Sequence, residues 1–211
     1  MKKLSLLIFT LMSLTMTAEA KTNIVISTDN TQMVMQVKDN GRLYQTYIGE
    51  RLADGTDLDL LDMPRTNVTQ TPTKGNEMYP VMGTEDYFEP AMEIHHADGN
   101  ATSVLKYVSH STKNINGGTE TVVRLKDDLY PVFVTLHFVA FAKENIIKEW
   151  TEISHHENGL VSLGRYASSM LYFEEDKYFL TEFHSDWAKE MQMAKTQLVY
   201  GKKVIDTRLG T

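Results

Sequence analysis

Between Val132 and Val139 the side chains alternate. Val132, Val134, Leu136 and Phe138 share one face, and Phe133, Thr135, His137 and Val139 share the other. A period of two marks a β-strand, because successive side chains point to opposite faces. The habit returns after a Lys143-Glu144-Asn145 turn, where Ile147, Glu149, Thr151 and Ile153 line one face of Ile146 to Ile153. Two strands joined by a short polar turn form an antiparallel pair with an apolar face to cover. Such a pair needs further layers, so it commits the chain to a stacked β architecture.

The rest of the chain follows suit. Asn23 to Ser27, Met33 to Lys38 and Leu43 to Ile48 are short β-rich runs, the last pair divided by Asn40-Gly41. Asn-Gly between apolar runs is a strong hairpin signal, since both residues tolerate positive φ. Leu58 to Asn76, with Pro64, Pro72 and Gly75, reads as a long loop. Ala91 to His96, Val104 to His110, Glu120 to Leu125, Leu160 to Phe173 and Tyr178 to Phe183 read as further strands. The best helical candidate is Asp186 to Met193, two turns at most. Regular turn spacing and many strands predict an all-β sandwich of at least ten strands in two sheets, with no internal repeat or linker.

The N-terminus reads as an export leader. Lys2 and Lys3 precede an apolar run from Leu4 to Met16, and Ala18-Glu19-Ala20 supplies the small-x-small pattern of a cleavage site. The run is too short to span a bilayer comfortably. A signal peptide over residues 1–20 and a secreted mature chain over 21–211, periplasmic or extracellular, are therefore expected. There is no cysteine, so the fold rests on its core alone, which about 190 mature residues can supply in one domain. The formal net charge of −7 disfavours nucleic acid and anionic membrane as partners. The ending Asp206-Thr207-Arg208-Leu209-Gly210-Thr211 reads as a strand running into a turn, which suggests a fragment of a longer protein.

Candidate chemistry is thin. His95-His96 and His155-His156 are adjacent pairs, and neighbours on a strand face opposite ways, so neither pair supplies two ligands to one metal. Asp127-Asp128 and Glu174-Glu175-Asp176 read as solvated turns rather than the opposed carboxylates, about 5 to 10 Å apart, that a glycosidase needs. Lys148-Glu149-Trp150 sits mid-strand and is set aside as a nucleophile. No GxSxG, P-loop, HExxH or EF-hand pattern occurs. Trp187 follows a polar break after Phe183, where an aromatic is either a core plug or a platform for a sugar's C–H face. Residue types alone favour the plug.

Two stretches carry a resemblance. Tyr79-Pro80-Val81-Met82-Gly83-Thr84-Glu85-Asp86-Tyr87-Phe88-Glu89-Pro90-Ala91 and Phe183-His184-Ser185-Asp186-Trp187 resemble signatures of the N-terminal domain of family 36 glycoside hydrolases, the bacterial α-galactosidases. Gly49 after the tyrosine-rich strand and the Arg208-Leu209-Gly210 exit agree with it. The resemblance implies a β-supersandwich of the galactose mutarotase-like kind, beside a (β/α)8 barrel that this chain lacks. It implies a retaining α-galactosidase whose two catalytic aspartates lie downstream of Thr211, so no catalytic residue, metal or cofactor falls here. It implies galactosides as partners and homo-oligomerisation through the complete enzyme. It also turns Trp187 from core plug into substrate-binding residue at the rim of a galactose pocket. Family members send charged loop residues ahead of the Tyr-Pro motif to an active site, but Asp54 to Lys74 does not align with them. Two rivals remain open: a secreted non-catalytic carbohydrate-binding β-sandwich, and an aldose epimerase-like enzyme with a convergent His and Glu, for which no pair stands out.

Overall fold

The Asn40-Gly41 turn closes as its residues allow. Gly41 takes φ 75°, its amide donates to the Lys38 carbonyl at 2.8 Å, and the Lys38 amide donates back to Arg42 at 3.0 Å. The turn joins β2 (Thr31–Val37) to β3 (Leu43–Glu50), and β1 (Asn23–Ser27) pairs antiparallel on the far side of β2. These observations come from a computed structural model that describes residues 21–61, 76–83, 89–173 and 177–206. The leader over residues 1–20, Glu174-Glu175-Asp176, Arg208-Leu209-Gly210, the middle of the Tyr79 signature and most of the expected loop from Leu58 to Asn76 lie outside those residues. The described start of that loop, Leu58–Leu61, is a single 3-10 turn.

Eleven strands are described: β4 (Met92–His95), β5 (Leu105–Ile115), β6 (Gly118–Asp127), β7 (Val132–Phe141), β8 (Ile146–His155), β9 (Ser162–Tyr166), β10 (Phe179–Asp186) and β11 (Lys189–Gln197) complete the set. The alternation at Val132 to Val139 behaves as its period requires. β5, β6, β7 and β8 form an antiparallel meander, and β7 meets β8 without a break in register from Val132↔His155 to Phe141↔Ile146. Val132, Val134, Leu136 and Phe138 are fully buried.

The chain is all-β, with open sheets, as expected from its sequence. The strands fall into four hydrogen-bonded sheets rather than two. The orders are β1-β2-β3, β4-β9, β5-β6-β7-β8 and β10-β11. Three of them share one core: Ile24, Met33 and Met35 from the first sheet meet Met92 and Ile94 from the second and Val134, Leu136 and Phe138 from the meander. Leu160 to Phe173, read as one strand, contributes only β9, which pairs with β4 through a shift between Glu93 and Ile94.

Contacts divide the chain into two compact units, one ending at Leu171 and one beginning at Tyr172. The second is built on the β10–β11 hairpin, and here the best helical candidate, Asp186 to Met193, is not helical. Those residues form the hairpin tip and the start of β11, with Phe183 opposite Met193 and Asp186 opposite Lys189. Ala, Lys, Glu, Met and Gln are good helix formers, but pairing along the whole of β10 outweighs that small preference.

Candidate functional site

Trp187 is the first residue of the two-residue tip between Asp186 and Lys189. Its amide donates to Asp186 Oδ1 at 2.7 Å, and Ala188 after it adopts φ 58°. A left-handed residue at this point lets a two-residue loop close. The indole is 91% exposed, so Trp187 does not plug the core of its own unit. Phe179, Phe183 and Met193 are also exposed, and Lys195 lies 4.8 Å from the Phe179 ring centroid. The hairpin thus presents aromatic surface from base to tip.

The Tyr79 signature is a structural clamp in its described part. Tyr79 is buried and its hydroxyl donates to the Ala167 carbonyl at 2.9 Å. Burial pushes that phenol up to about 12, against the opposing effect of the same hydrogen bond. The Ala91 amide donates to the Pro80 carbonyl at 2.7 Å and the Ala167 amide to Ala91 at 2.8 Å. Gly83 holds φ 99°, and a Cβ there would come within 2.7 Å of the Thr102 backbone. Only glycine fits. Beside the clamp, Arg42 Nε donates to Glu77 Oε1 at 2.8 Å, with both side chains nearly enclosed.

A His/Glu pair does stand out once the chain is folded. His96 Nδ1 lies 2.7 Å from Glu157 Oε1, and its Nε2 lies 2.9 Å from Ser103 Oγ. The His96 ring stacks on Tyr130 at 3.5 Å between centroids. Desolvation opposes the charged form of Glu157, but hydrogen bonds from His96 and the Ala97 amide outweigh it and hold the carboxyl below its usual range. Both imidazole nitrogens are therefore committed and the ring has no open face. The pair is a fastening, not the convergent acid and base an epimerase needs. His96 is buried while His95 is exposed, so the two do face apart; His155 and His156 are both exposed. Asn100, in the turn beside them, donates to the Tyr130 hydroxyl at 2.9 Å.

The acidic doublet also departs from its reading. Asp127 is 2% exposed and accepts from the amides of Val104, Leu129 and Tyr130 at 2.7, 2.8 and 2.8 Å. Only Asp128 is a solvated turn acid, 3.8 Å from Lys106 Nζ. Glu149 stands on the inner face of β8, opposite Phe138. Burial pushes its carboxyl up to about 7, with a hydrogen bond to Ser169 working the other way. Among the described residues, no group of three His, Cys, Asp or Glu could hold a metal ion.

The profile of the glycosyl hydrolase family 36 N-terminal domain matches residues 41–211. The chain belongs to glycosyl hydrolase family 36, through its N-terminal domain. Curated relatives include probable alpha-galactosidase G of Emericella nidulans, 24% identical over 157 residues, which cover 67% of this chain and 22% of the relative. Another is alpha-galactosidase AgaA of Geobacillus stearothermophilus, 24% identical over 147 residues, covering 63% and 20%. The crystal structure of that AgaA superposes with TM-score 0.76 over 89% of this chain and 29% of its own, at 20% identity. The alpha-galactosidase of Lactobacillus brevis superposes with TM-score 0.76 over 86% and 28%. The chain thus spans less than a third of the relatives it matches.

Membership in family 36 sharpens the question put to Glu149. A carboxyl near 7 is what a general acid requires, but a retaining glycosidase pairs it with a second carboxylate about 5 Å away. The inner faces of β7 and β8 carry no other acid: Ile147, Thr151 and Ile153 flank Glu149, and β7 opposes it with Leu136, Phe138 and Ala140. Its raised value is then a cost of burial. A carboxyl raised from 4.5 to about 7 on folding stabilises the folded state below pH 4.5 relative to higher pH, and that advantage is lost as pH rises to 7. Glu149→Gln should therefore raise unfolding stability by roughly 1–2 kcal/mol more at pH 8 than at pH 5, after allowance for partial exposure. Urea melts at the two pH values check this, and an equal effect at both would remove burial as the cause.

Proposed function

We propose that this chain is the non-catalytic N-terminal β-domain of a retaining α-galactosidase that removes terminal α-galactosyl residues from oligosaccharides. The carrying observation is the family 36 N-terminal match from residue 41 to residue 211. The geometry supports it: of the carboxylates that could pass for catalytic groups, Glu149 meets no second acid on the inner faces of β7 and β8, and Glu157 is tied up by His96 and the Ala97 amide. In this reading the nucleophile and the acid/base are two aspartates of a barrel domain outside this chain. One forms the covalent galactosyl-enzyme and the other protonates the leaving oxygen.

Trp187 would then lie at the edge of the galactose pocket and contribute stacking without chemistry. Variants of Geobacillus stearothermophilus AgaA have been solved with raffinose and with stachyose, and raffinose-type sugars are the substrates we propose here. The leader-like residues 1–20 support export to a periplasmic or extracellular space, where such sugars are met. The test is direct. Purified chain should release no nitrophenol from an aryl α-galactoside, because it lacks the acid and nucleophile that lower the barrier. Turnover that disappears in Glu149→Gln would put the active site in this domain and end the reading.

A further inference from the structure

Three Asn-Gly pairs occur in the sequence, at Asn40, Asn116 and Asn158. Asparagine is a labile residue, and before glycine it carries the means of its own modification. The glycine amide nitrogen can attack the asparagine side-chain carbon, because no Cβ bars its approach. A bond forms between that nitrogen and Cγ, the bond from Cγ to Nδ2 breaks, and ammonia leaves with the proton from the glycine nitrogen. Water then opens the five-membered succinimide at either carbonyl. The net change is asparagine plus water to ammonia plus aspartate or isoaspartate. In isoaspartate the main chain runs through Cγ and is one carbon longer. Only water and the chain's own atoms are needed.

All three asparagines are exposed, so exposure does not choose among them. Local restraint does. Asn40 Nδ2 donates to the Tyr44 hydroxyl at 2.9 Å, and its Oδ1 accepts from the Arg42 amide at 3.0 Å. The attacking nitrogen is held too, since the Gly41 amide donates to the Lys38 carbonyl at 2.8 Å. Lys106 Nζ donates to the Asn40 carbonyl at 2.5 Å. This pair is locked against ring closure. At Asn158 the neighbours are pinned. The Glu157 carboxylate takes the Ala97 amide at 3.0 Å and lies 2.7 Å from His96 Nδ1. Gly159 lies against Ala97, where a Cβ would come within 2.9 Å of the alanine methyl.

Asn116 has neither restraint. It is the first of the two residues between Ile115 and Gly118, the last pair joining β5 to β6. Among the described residues, neither its side-chain amide nor the Gly117 amide has a hydrogen-bond partner. Gly117 holds φ 81°, and beyond its chain neighbours no atom comes closer than 4.0 Å to the place of its missing Cβ. The tip therefore has room to rotate into the attacking geometry. We propose that Asn116 is a site of spontaneous deamidation, which converts the β5–β6 tip to isoaspartate as the protein ages. The proposal stands apart from any role in galactoside cleavage. The product adds a negative charge and one backbone carbon to a two-residue turn. The Ile115–Gly118 pairing should loosen, while the rest of the meander keeps its register.

Peptide mapping by mass spectrometry, on purified chain aged for weeks in mildly alkaline buffer, tests it. Isoaspartate should accumulate at position 116 at least about tenfold faster than at Asn40, where several hydrogen bonds must open before the ring can close. Asn158 should also lag behind Asn116. In concentrated urea the three sites should react at similar rates, because the fold no longer distinguishes them. Amide hydrogen exchange at residues 115–118 should quicken in the aged chain and stay unchanged in aged Asn116→Gln. An aged chain with Asn116 intact would overturn the proposal, as would Asn40 or Asn158 reacting first in the folded state. A product that is aspartate alone would rule out the succinimide route. The same ranking of sites in urea would show that the fold does not make the selection.

Discussion

Asp127→Ala is expected to lower the unfolding free energy by about 2–4 kcal/mol, because three amides in partly buried bonds lose the buried carboxylate they donate to, and stranded donors cost up to about 1–3 kcal/mol each. The carboxylate is 2% exposed, so water cannot readily take its place. Its Oδ1 accepts from Leu129 and Tyr130, which shapes the turn between β6 and β7, while Oδ2 accepts from Val104 just before β5. The Asp128 amide returns a bond to the Val104 carbonyl at 3.0 Å. One side chain therefore ties two connections of the meander together. Asp127→Asn should cost about half as much, since its carbonyl oxygen can keep Leu129 and Tyr130 while its NH2 faces the Val104 donor. Asp128→Ala should cost under about 1 kcal/mol, as the loss of an exposed ion pair. For a chain this long, the alanine variant at Asp127 should melt roughly 10 °C lower. Equal melting of the two alanine variants would mean that Asp127 is solvated and the buried network does not form.

Asp127 and Asp128 also mark where the sequence stops being legible. Both lie at the end of a strand, and neighbouring acids in such a place are ordinarily solvated. What buries one of them is Val104, distant in sequence, and no local pattern announces it. His96 and Glu157 make the same point across an even wider gap. Local signals, by contrast, were reliable wherever they were redundant. Alternation set the inner face of β7, and Asn40-Gly41 set its hairpin. The second hairpin has no such marker, because Trp187-Ala188 replaces an Asn-Gly tip and the residues after it favour helix. Long-range pairing made that choice, and a β-strand built from Lys, Glu, Met and Gln cannot be read from its own composition. The family signature was legible as a resemblance, but its physical meaning was not. Tyr79 needs Ala167 and Gly83 needs Thr102 before either residue has a reason to be what it is.

In the longer galactosidase proposed above, Trp187→Ala should lower kcat/KM for galactosides by roughly 10- to 200-fold, the scale of losing one good contact in a binding pocket. The argument begins with exposure. An indole that is 91% accessible at the tip of a two-residue turn contributes little to its own unit's stability, so folding should hardly change. An aromatic of that size left in water costs free energy, because its apolar area remains hydrated. A galactose ring could cover that area with its C–H face, gaining the contact only when sugar is bound. Stacking of that kind acts on the ground state and the transition state alike. The loss should therefore appear mainly as a higher KM with kcat nearly preserved. Trp187→Phe should recover much of it, as a smaller ring offers the same kind of face. In the isolated chain, with Trp150 replaced by Phe, emission from Trp187 should lie at long wavelength, as for indole in water. Unchanged kcat/KM in the alanine variant, or a fall in kcat with KM constant, would detach Trp187 from sugar binding and leave its exposed indole to be explained by a different partner.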